Sequence, residues 1–227
     1  MNVLAVESST QACSVSLRIG QRSFTEFKMA PQQHANLILP MVNAVLEQAQ
    51  CDEKSIDVLA FSEGPGAFTG VRIAAGVVQG LAFGWQKPVQ AVSSLEAMAW
   101  QAYQDHGEIE WAALLDARMH EVYLQVCRIQ SEKLVSEPPQ LLSEAATLEQ
   151  LEASRIKQGV GDIQTVYPQL TARFNLWVDL YPSAEAVAII AQQRSKASYD
   201  LSEKLPMPVY LRNNVADKPK AKRNKLL

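Results

Sequence analysis

The sequence predicts an α/β protein built from two copies of one unit, each a strand-rich meander followed by helices and further strands. Three features recur in the same order in both halves: an apolar strand ending on an acidic residue, a Gly-x-Gly turn, and an alanine-rich segment with a central glutamate. They lie at residues 1–7, 64–66 and 94–99 in the first half, and at 111–116, 159–161 and 183–188 in the second.

The first half opens with three predicted strands. Residues 1–6 form a near-continuous apolar run, which is typical of a strand covered on both faces. In residues 13–19 apolar and polar side chains alternate, as in a half-buried strand, and Gly20 turns the chain toward a third strand at 24–28. These segments predict a β-meander.

The first unit continues with alternating helices and strands. Apolar residues at helical spacing predict a helix over 37–49, in which Pro40 is tolerable only near the start. Ser93 and Glu96 form a capping box that begins a later helix. The elements between them are a strand at 58–61, the loop GPGAFTG at 64–70, a helix rich in small residues at 71–83, and a strand at 89–92.

The second half repeats the order, with a strand at 111–115 that ends on Asp116 and another at 122–129 after a turn. We therefore expect two similar lobes with mixed sheets and flanking helices, which face each other across a cleft. The predicted division is a first lobe at 1–103, a second lobe at 107–198, and a segment at 199–227 that packs back and ends in a basic tail.

Composition bounds the possible functions. The chain has 227 residues, of which 48% are hydrophobic, so it can bury a full core, and disordered and fibrous classes are excluded. The formal charge of -3 does not indicate a protein that binds nucleic acid over a broad basic surface. Five basic side chains crowd the last ten residues, and they form either a solvated tail or an arm that touches RNA phosphates.

The three cysteines predict a reducing compartment. Cys13, Cys51 and Cys127 lie far apart without CxxC spacing, and an odd number cannot form a closed disulfide framework. No run approaches the roughly 20 apolar residues that span a bilayer, and the opening lacks the pattern of a signal peptide. We expect a soluble cytoplasmic protein with no membrane contact.

The duplicated pattern resembles the actin, Hsp70 and sugar-kinase (ASKHA) superfamily. In that superfamily the turns hold nucleotide phosphates between the lobes, and an acidic residue at the first strand end organises Mg²⁺. The resemblance puts Glu7 and Asp116 at those positions. It implies at most weak ATP or ADP binding with Mg²⁺, because glutamate replaces the usual aspartate at position 7.

Six segments together resemble one family, the bacterial TsaB (YeaZ) proteins. They are LAVESST (4–10), EGPGAFTGVR (63–72), PVQAVSSLEAMA (88–99), LLDARMHEVY (114–123), YPSAEAVAIIA (181–191) and PVYLR (208–212). The resemblance implies a non-catalytic partner or scaffold subunit that assembles with the catalytic paralogue TsaD and the ATPase TsaE. That complex transfers threonylcarbamoyl from threonylcarbamoyl-AMP to N6 of the adenosine beside the tRNA anticodon. The subunit alone is expected to form a homodimer and to meet tRNA only through the complex.

Neither a catalytic residue nor a metal site is predicted. His34, His106 and His120 form no HxxxH or HExxH pair, so a two-histidine helical site is absent from the sequence, and His34 is expected to be solvated or to cap a helix. No serine or cysteine stands in a recognisable triad pattern.

The glycine loop at 64–70 permits two interpretations. A glycine-rich turn between strand and helix can aim backbone N–H groups at an anion, but Pro65 removes one donor and no P-loop lysine follows. The loop is therefore either a tight structural turn or a weak nucleotide, anion or partner site. The second interpretation predicts that Gly70→Val and Arg72→Ala impair the complex more than folding. Its candidate residues are Glu7, Ser9, Thr10, Gly64, Gly66, Thr69, Gly70, Arg72 and Asp116.

The helices of the first half are candidates for partner docking. Their apolar stripes serve either ordinary packing against the sheet or docking onto the same helix pair of another subunit, and the family resemblance favours docking. The candidate interface residues are Leu37, Met41, Val45, Ala74, Val78 and Leu81. The residues alone leave two other functions open. These are a stand-alone small-molecule kinase of the ASKHA fold and an adaptor for a different protein partner.

Overall fold

A computed structural model describes residues 1–194 and 197–212. The first of its two mixed sheets has the strand order β3-β2-β1-β4-β5. Strands β1, β2 and β3 form the antiparallel meander that the sequence predicts, and β4 and β5 continue the sheet in parallel with β1. The strand bounds are β1 (Asn2–Glu7), β2 (Ala12–Ile19), β3 (Arg22–Met29), β4 (Val58–Gly64) and β5 (Val89–Ser93).

The second sheet repeats this plan with the order β11-β10-β6-β7-β8, and β9 also pairs with β7. Two short strands, β8 and β9, occupy the place of the third meander strand. The bounds are β6 (Glu110–Arg118), β7 (Glu121–Gln130), β8 (Lys133–Ser136), β9 (Gln140–Ser143), β10 (Gln158–Gly161) and β11 (Leu176–Asp179). The predicted fold class, a duplicated α/β fold with mixed sheets and flanking helices, is confirmed.

Helices connect and cover the strands. The predicted capping box begins α3, where the Ser93 hydroxyl accepts a hydrogen bond from the Leu95 amide (3.2 Å) and the Glu96 carboxylate accepts one from the Ser93 amide (3.3 Å). Pro40 lies inside α1, which begins three residues before the predicted start. The bounds are α1 (His34–Ala49), α2 (Phe68–Trp85), α3 (Ser94–His106), α4 (Glu144–Ser154), α5 (Pro168–Thr171) and α6 (Ala184–Gln193).

The two halves share one apolar layer. Helices α1 and α2 cover the outer face of the first sheet, whereas α3 and α6 lie between the two sheets. Helix α6 of the second half packs mainly on β1 and β2, and α3 of the first half packs mainly on β6. The Ala184 amide, for example, donates to the Ser14 hydroxyl at 2.8 Å. The lobe boundaries at 103 and 107 stay a prediction.

The C-terminal strap, residues 197–212, runs back across the first half. Its Tyr199 pairs with Val89 at the edge of the first sheet through two backbone hydrogen bonds of 2.8 and 2.9 Å. The Val209 amide donates to the Glu63 carbonyl at 2.8 Å. The basic tail lies outside the described residues. Within those residues, no helix is long and apolar enough to cross a bilayer.

Candidate functional site

A cleft with a volume of about 820 Å³ lies between the two halves. The β1–β2 turn, the start of α1, the glycine loop, the end of β6 and the C-terminal strap form its walls. Three predicted site residues, Glu7, Gly64 and Arg72, do not line it. The structure brings the other six to the cleft, namely Ser9, Thr10, Gly66, Thr69, Gly70 and Asp116.

The glycine loop packs directly on the backbone that follows β1. A Cβ atom at Gly70 would lie 1.9 Å from the Ser8 carbonyl oxygen, and one at Gly66 would lie 2.3 Å from the Ser9 carbonyl oxygen. The Ala67 amide donates to that same Ser9 oxygen at 2.6 Å. These glycines are therefore required for close approach between two protein segments, which supports the structural interpretation of the loop.

Glu7 lies beneath this loop and is fully buried. One of its carboxylate oxygens accepts a hydrogen bond from the Ser9 amide, and burial raises the pKa of the carboxyl above its ordinary value. Glu7 therefore does not line the cleft, whereas Asp116 does. Among the described residues, no three His, Cys, Asp or Glu side chains are grouped as metal ligands.

The opposite wall of the cleft carries a pair of aspartates. Asp162 accepts a hydrogen bond from the Asp116 amide at 3.0 Å, and the Asp116 carboxylate forms an ion pair with Arg118 at 2.8 Å. Burial raises the pKa of Asp162 to about 6. Asp162 was not among the predicted site residues, although it directly follows the second Gly-x-Gly turn.

The buried aspartate predicts a pH-dependent gain in stability for Asp162→Asn. Because the folded pKa of about 6 lies above the ordinary 3.8, ionisation disfavours folding. Below pH 3.8 the Asp162 carboxyl is protonated in both the folded and the unfolded state, so it costs no stability there. As the pH rises from 3.8 through 6, the free energy of unfolding falls, because the unfolded state ionises more readily than the folded state. The amide oxygen of asparagine can still accept from the Asp116 amide. Urea unfolding should therefore show a gain of up to about 3 kcal/mol well above pH 6, and little gain near pH 3.8.

The exposed Asp179→Asn provides the control for this substitution. We expect it to change the free energy of unfolding by less than about 0.5 kcal/mol at either pH. A gain for Asp162→Asn that is equal at both pH values would contradict the role of ionisation.

Arg72 is engaged by the C-terminal strap. Its guanidinium lies 3.6 Å from the Phe68 ring centre and 5.4 Å from that of Tyr210, and its Nε donates to the Tyr210 hydroxyl at 2.8 Å. Arg72 stays a candidate site residue, but its Nε–H is already engaged by Tyr210. The guanidinium holds the strap against α2.

His34 has a structural contact at the cleft. Its side chain is buried, and Nε2 lies 3.1 Å from the Ala12 carbonyl oxygen. The expected solvated or capping role is wrong, because the imidazole ties the start of α1 to β2 instead.

Most of the predicted docking residues face the protein's own core. Met41, Val45, Ala74 and Val78 are buried against the first sheet, so their side chains are not available to another subunit. Leu37 and Leu81 are half-buried. The correction follows from the orientation of the helices, because the most apolar stripe of each faces the sheet.

A different side of α2 is accessible, which we call the open face. Phe83 on this face is 81% exposed, and Cβ atoms at its three glycines would have no neighbouring atom within 4 Å. The open face consists of Thr69, Ile73, Gly76, Gly80, Phe83 and Gly84, at spacings of three and four residues. The sequence predicts a helix rich in small residues here, but the predicted docking side chains Ala74 and Val78 lie on its buried stripe instead.

Sequence comparisons agree on one family. The family model described as "TsaD: tRNA N6-adenosine threonylcarbamoyltransferase" matches residues 28–220. The tRNA threonylcarbamoyladenosine biosynthesis protein TsaB of Haemophilus influenzae is 35% identical, with 95% of each chain covered. TsaB of Escherichia coli is also 35% identical, and the match covers 95% of this chain and 96% of that protein.

Solved structures show the same fold. A Pseudomonas aeruginosa protein described as similar to peptidase YeaZ has a TM-score of 0.85 and 36% identity, over 93% of this chain and 99% of that chain. YeaZ from Pseudomonas aeruginosa has a TM-score of 0.77 and 34% identity, over 92% and 99%. The chain therefore belongs to the family that the model describes, and within it to the TsaB proteins of tRNA threonylcarbamoyladenosine biosynthesis.

Proposed function

We propose that this chain is a non-catalytic partner subunit in the threonylcarbamoylation of tRNA. In this role it docks on the catalytic paralogue TsaD, works with the ATPase TsaE in the cytoplasm, and meets tRNA through the complex. The observation that carries the proposal is the open face of α2, where three glycines and an exposed phenylalanine allow another helix to approach closely.

The geometry of the cleft supports a non-catalytic role. The glycine loop packs closely on the backbone that follows β1, and Glu7 is fully buried. Arg72 donates a hydrogen bond to the strap. Among the described residues that line the cleft, the carboxylates of Asp116 and Asp162 are balanced by the guanidinium groups of Arg118 and Arg212, so the lining offers no excess of positive charge to nucleotide phosphates. Any binding of ATP or ADP with Mg²⁺ is accordingly weak for the isolated subunit.

The open face also accounts for self-pairing. Helix α2 is flanked by α1, and together these helices form the outer layer of the first half. A twofold axis through this layer would bring α2 of one copy against α2 of another. The isolated subunit is then a homodimer, and TsaD displaces the second copy from the same face.

The decisive variant is Gly80→Glu, which places a charge on the open face without entering the core. The Cβ site at Gly80 has open space, so we expect the subunit to stay folded. Burying an unpaired carboxylate in the interface should weaken both self-pairing and TsaD binding by about 100-fold or more. Light scattering after size exclusion measures the dimer, and copurification with TsaD measures the complex.

Two controls separate charge from other effects. Gly80→Ala tests the loss of glycine alone, and Gln104→Glu adds a carboxylate to the exposed end of α3, away from the open face. Both should retain dimer and complex, or lose far less than Gly80→Glu. If Gly80→Glu pairs normally and still recruits TsaD, the docking surface lies elsewhere. Retention of a different bacterial protein in place of TsaD would support an adaptor function instead.

A further inference from the structure

The C-terminal strap is fastened to the first half next to the cleft. Arg72 lies between the rings of Phe68 and Tyr210 and donates to the Tyr210 hydroxyl. Upstream of this contact, the Gln79 side chain donates to the Pro206 carbonyl at 2.5 Å. The Val209 amide adds a backbone hydrogen bond to β4. Several contacts of different kinds therefore hold this part of the strap.

The last described residue of the strap crosses to the second half. The Arg212 guanidinium donates to the carbonyl oxygens of Ala117 (3.0 Å) and Arg118 (3.3 Å) and forms an ion pair with the Glu121 carboxylate. These acceptors lie at the end of β6 and the start of β7, on either side of the turn between the two strands. Three consecutive residues of that turn, 118–120, have positive φ angles of 63°, 56° and 60°, which is uncommon for residues other than glycine.

Between these attachments, the strap forms part of the cleft wall. Val209, Tyr210, Leu211 and Arg212 all line the cleft, and Ala117 on the facing strand is only 8% exposed. Displacing these four residues would therefore remove one wall of the cleft while the pairing of Tyr199 with Val89 at the sheet edge stays in place.

We propose that the strap is a latch on the cleft, which Arg212 fastens to the second half. The latch opens when the contacts of the Arg212 guanidinium with the β6–β7 region break. The two ends of the latch are unequal. Within the part of the chain that the structure describes, the end on the first half combines backbone pairing with ring contacts, whereas the anchor on the second half is one side chain, the Arg212 guanidinium. Local opening starts where the attachment is weakest, so the Arg212 end opens first. A cationic group from a partner that takes over Glu121 would compete with Arg212 and open the latch.

Hydrogen exchange of the Val209 amide reports directly on the latch. In the unmodified chain this amide should be protected by its bond to the Glu63 carbonyl. We expect Arg212→Ala to accelerate its exchange at least tenfold and to leave core amides such as that of Leu4 unchanged. Arg128→Ala is the matched control, because it removes a guanidinium of the same sheet whose two ion-pair partners, Glu110 and Glu137, are exposed and lie outside the strap.

Cysteine labelling measures access to the cleft wall independently. Ala117→Cys places a thiol on that wall, in a Cys51→Ser background where the remaining Cys13 and Cys127 are buried. Adding Arg212→Ala should raise the alkylation rate of this thiol at least tenfold, whereas adding Arg128→Ala should not. Arg212→Lys, which keeps the charge but loses the fork of donors, should give an intermediate rate.

Three outcomes would overturn the latch. In the first, Arg212→Ala leaves the Val209 exchange rate and the thiol reactivity within about twofold of the parent. In the second, core amides accelerate as much as Val209, which would assign the effect to global unfolding. If Arg212→Ala does not fold, Arg212→Lys and Glu121→Gln replace it. The third outcome is that both of these variants show the Val209 exchange rate and the thiol alkylation rate of the parent.

Discussion

Gly70→Val should abolish stable folding of the isolated subunit. Gly70 lies in the first turn of α2, where a Cβ atom would stand 1.9 Å from the Ser8 carbonyl oxygen. That oxygen belongs to the backbone next to β1 and cannot rotate away. The Ser8 hydroxyl also donates to the Gly70 carbonyl at 2.9 Å, so the two segments are held together from both sides. Even Gly70→Ala should cost about 3 kcal/mol or more.

The measurement is urea unfolding of Gly70→Ala, since the valine variant is expected to be insoluble. Gly76→Ala is the matched control, because its Cβ site on the same helix is open and alanine is the better helix former. We expect it to raise the free energy of unfolding by about 0.5–1 kcal/mol. A loss below about 1 kcal/mol for Gly70→Ala would show that the loop relaxes and that close packing is not why glycine stands there.

This expectation replaces the one drawn from the sequence. The functional interpretation of the glycine loop predicts that Gly70→Val damages the complex more than the fold. The 1.9 Å separation reverses that order, because folding fails before assembly can be tested. Activity measurements on this variant would therefore carry no information on a ligand.

Arg194→Ala should be the second strongly destabilising change, with an expected loss of about 3–5 kcal/mol. Arg194 makes two hydrogen bonds of 2.8 and 2.9 Å to the Glu96 carboxylate, which is almost fully buried and also accepts from the Ser136 hydroxyl. This pair joins the end of α6 to the first turn of α3. Removing the guanidinium leaves the carboxylate buried and without its cation.

Arg128→Ala is again the matched control, now for stability. Its two ion pairs, with Glu110 at 3.0 Å and Glu137 at 2.9 Å, are solvent-accessible, so its loss should cost about 1 kcal/mol or less. A double variant that replaces both Arg194 and Glu96 by leucine should recover part of the stability lost in Arg194→Ala, because it removes the buried charge but also the bond from the Ser93 amide. Equal unfolding energies for the two alanine variants would contradict the importance of burial.

Local patterns were sufficient to predict the order of elements. Apolar runs, glycine turns and the Ser93–Glu96 capping box act over a few residues, and the structure confirms the strands and helices that they predict in the first half. The short strands β8 and β9 escaped notice, because four residues give too little alternation to separate a strand from a loop.

Contacts between distant residues could not be predicted in this way. The partner of Arg72 is Tyr210, 138 residues later, and nothing in either local sequence signals their pairing. The burial of Glu7 depends on how closely the glycine loop lies on β1. On α2 the sequence shows apolar and small residues on every side, so it could not decide which stripe faces the sheet and which remains open.

The crossing of α3 and α6 has an evolutionary consequence. Each helix lies mainly on the sheet of the other half, so a single unit on its own would expose an apolar sheet face and an apolar helix. A one-unit ancestor would have been stable only as a pair of identical chains that exchanged their last helices. Linking two such units in one chain makes that association intramolecular and independent of concentration. Each half can then change its own surface without losing the half that covers its sheet.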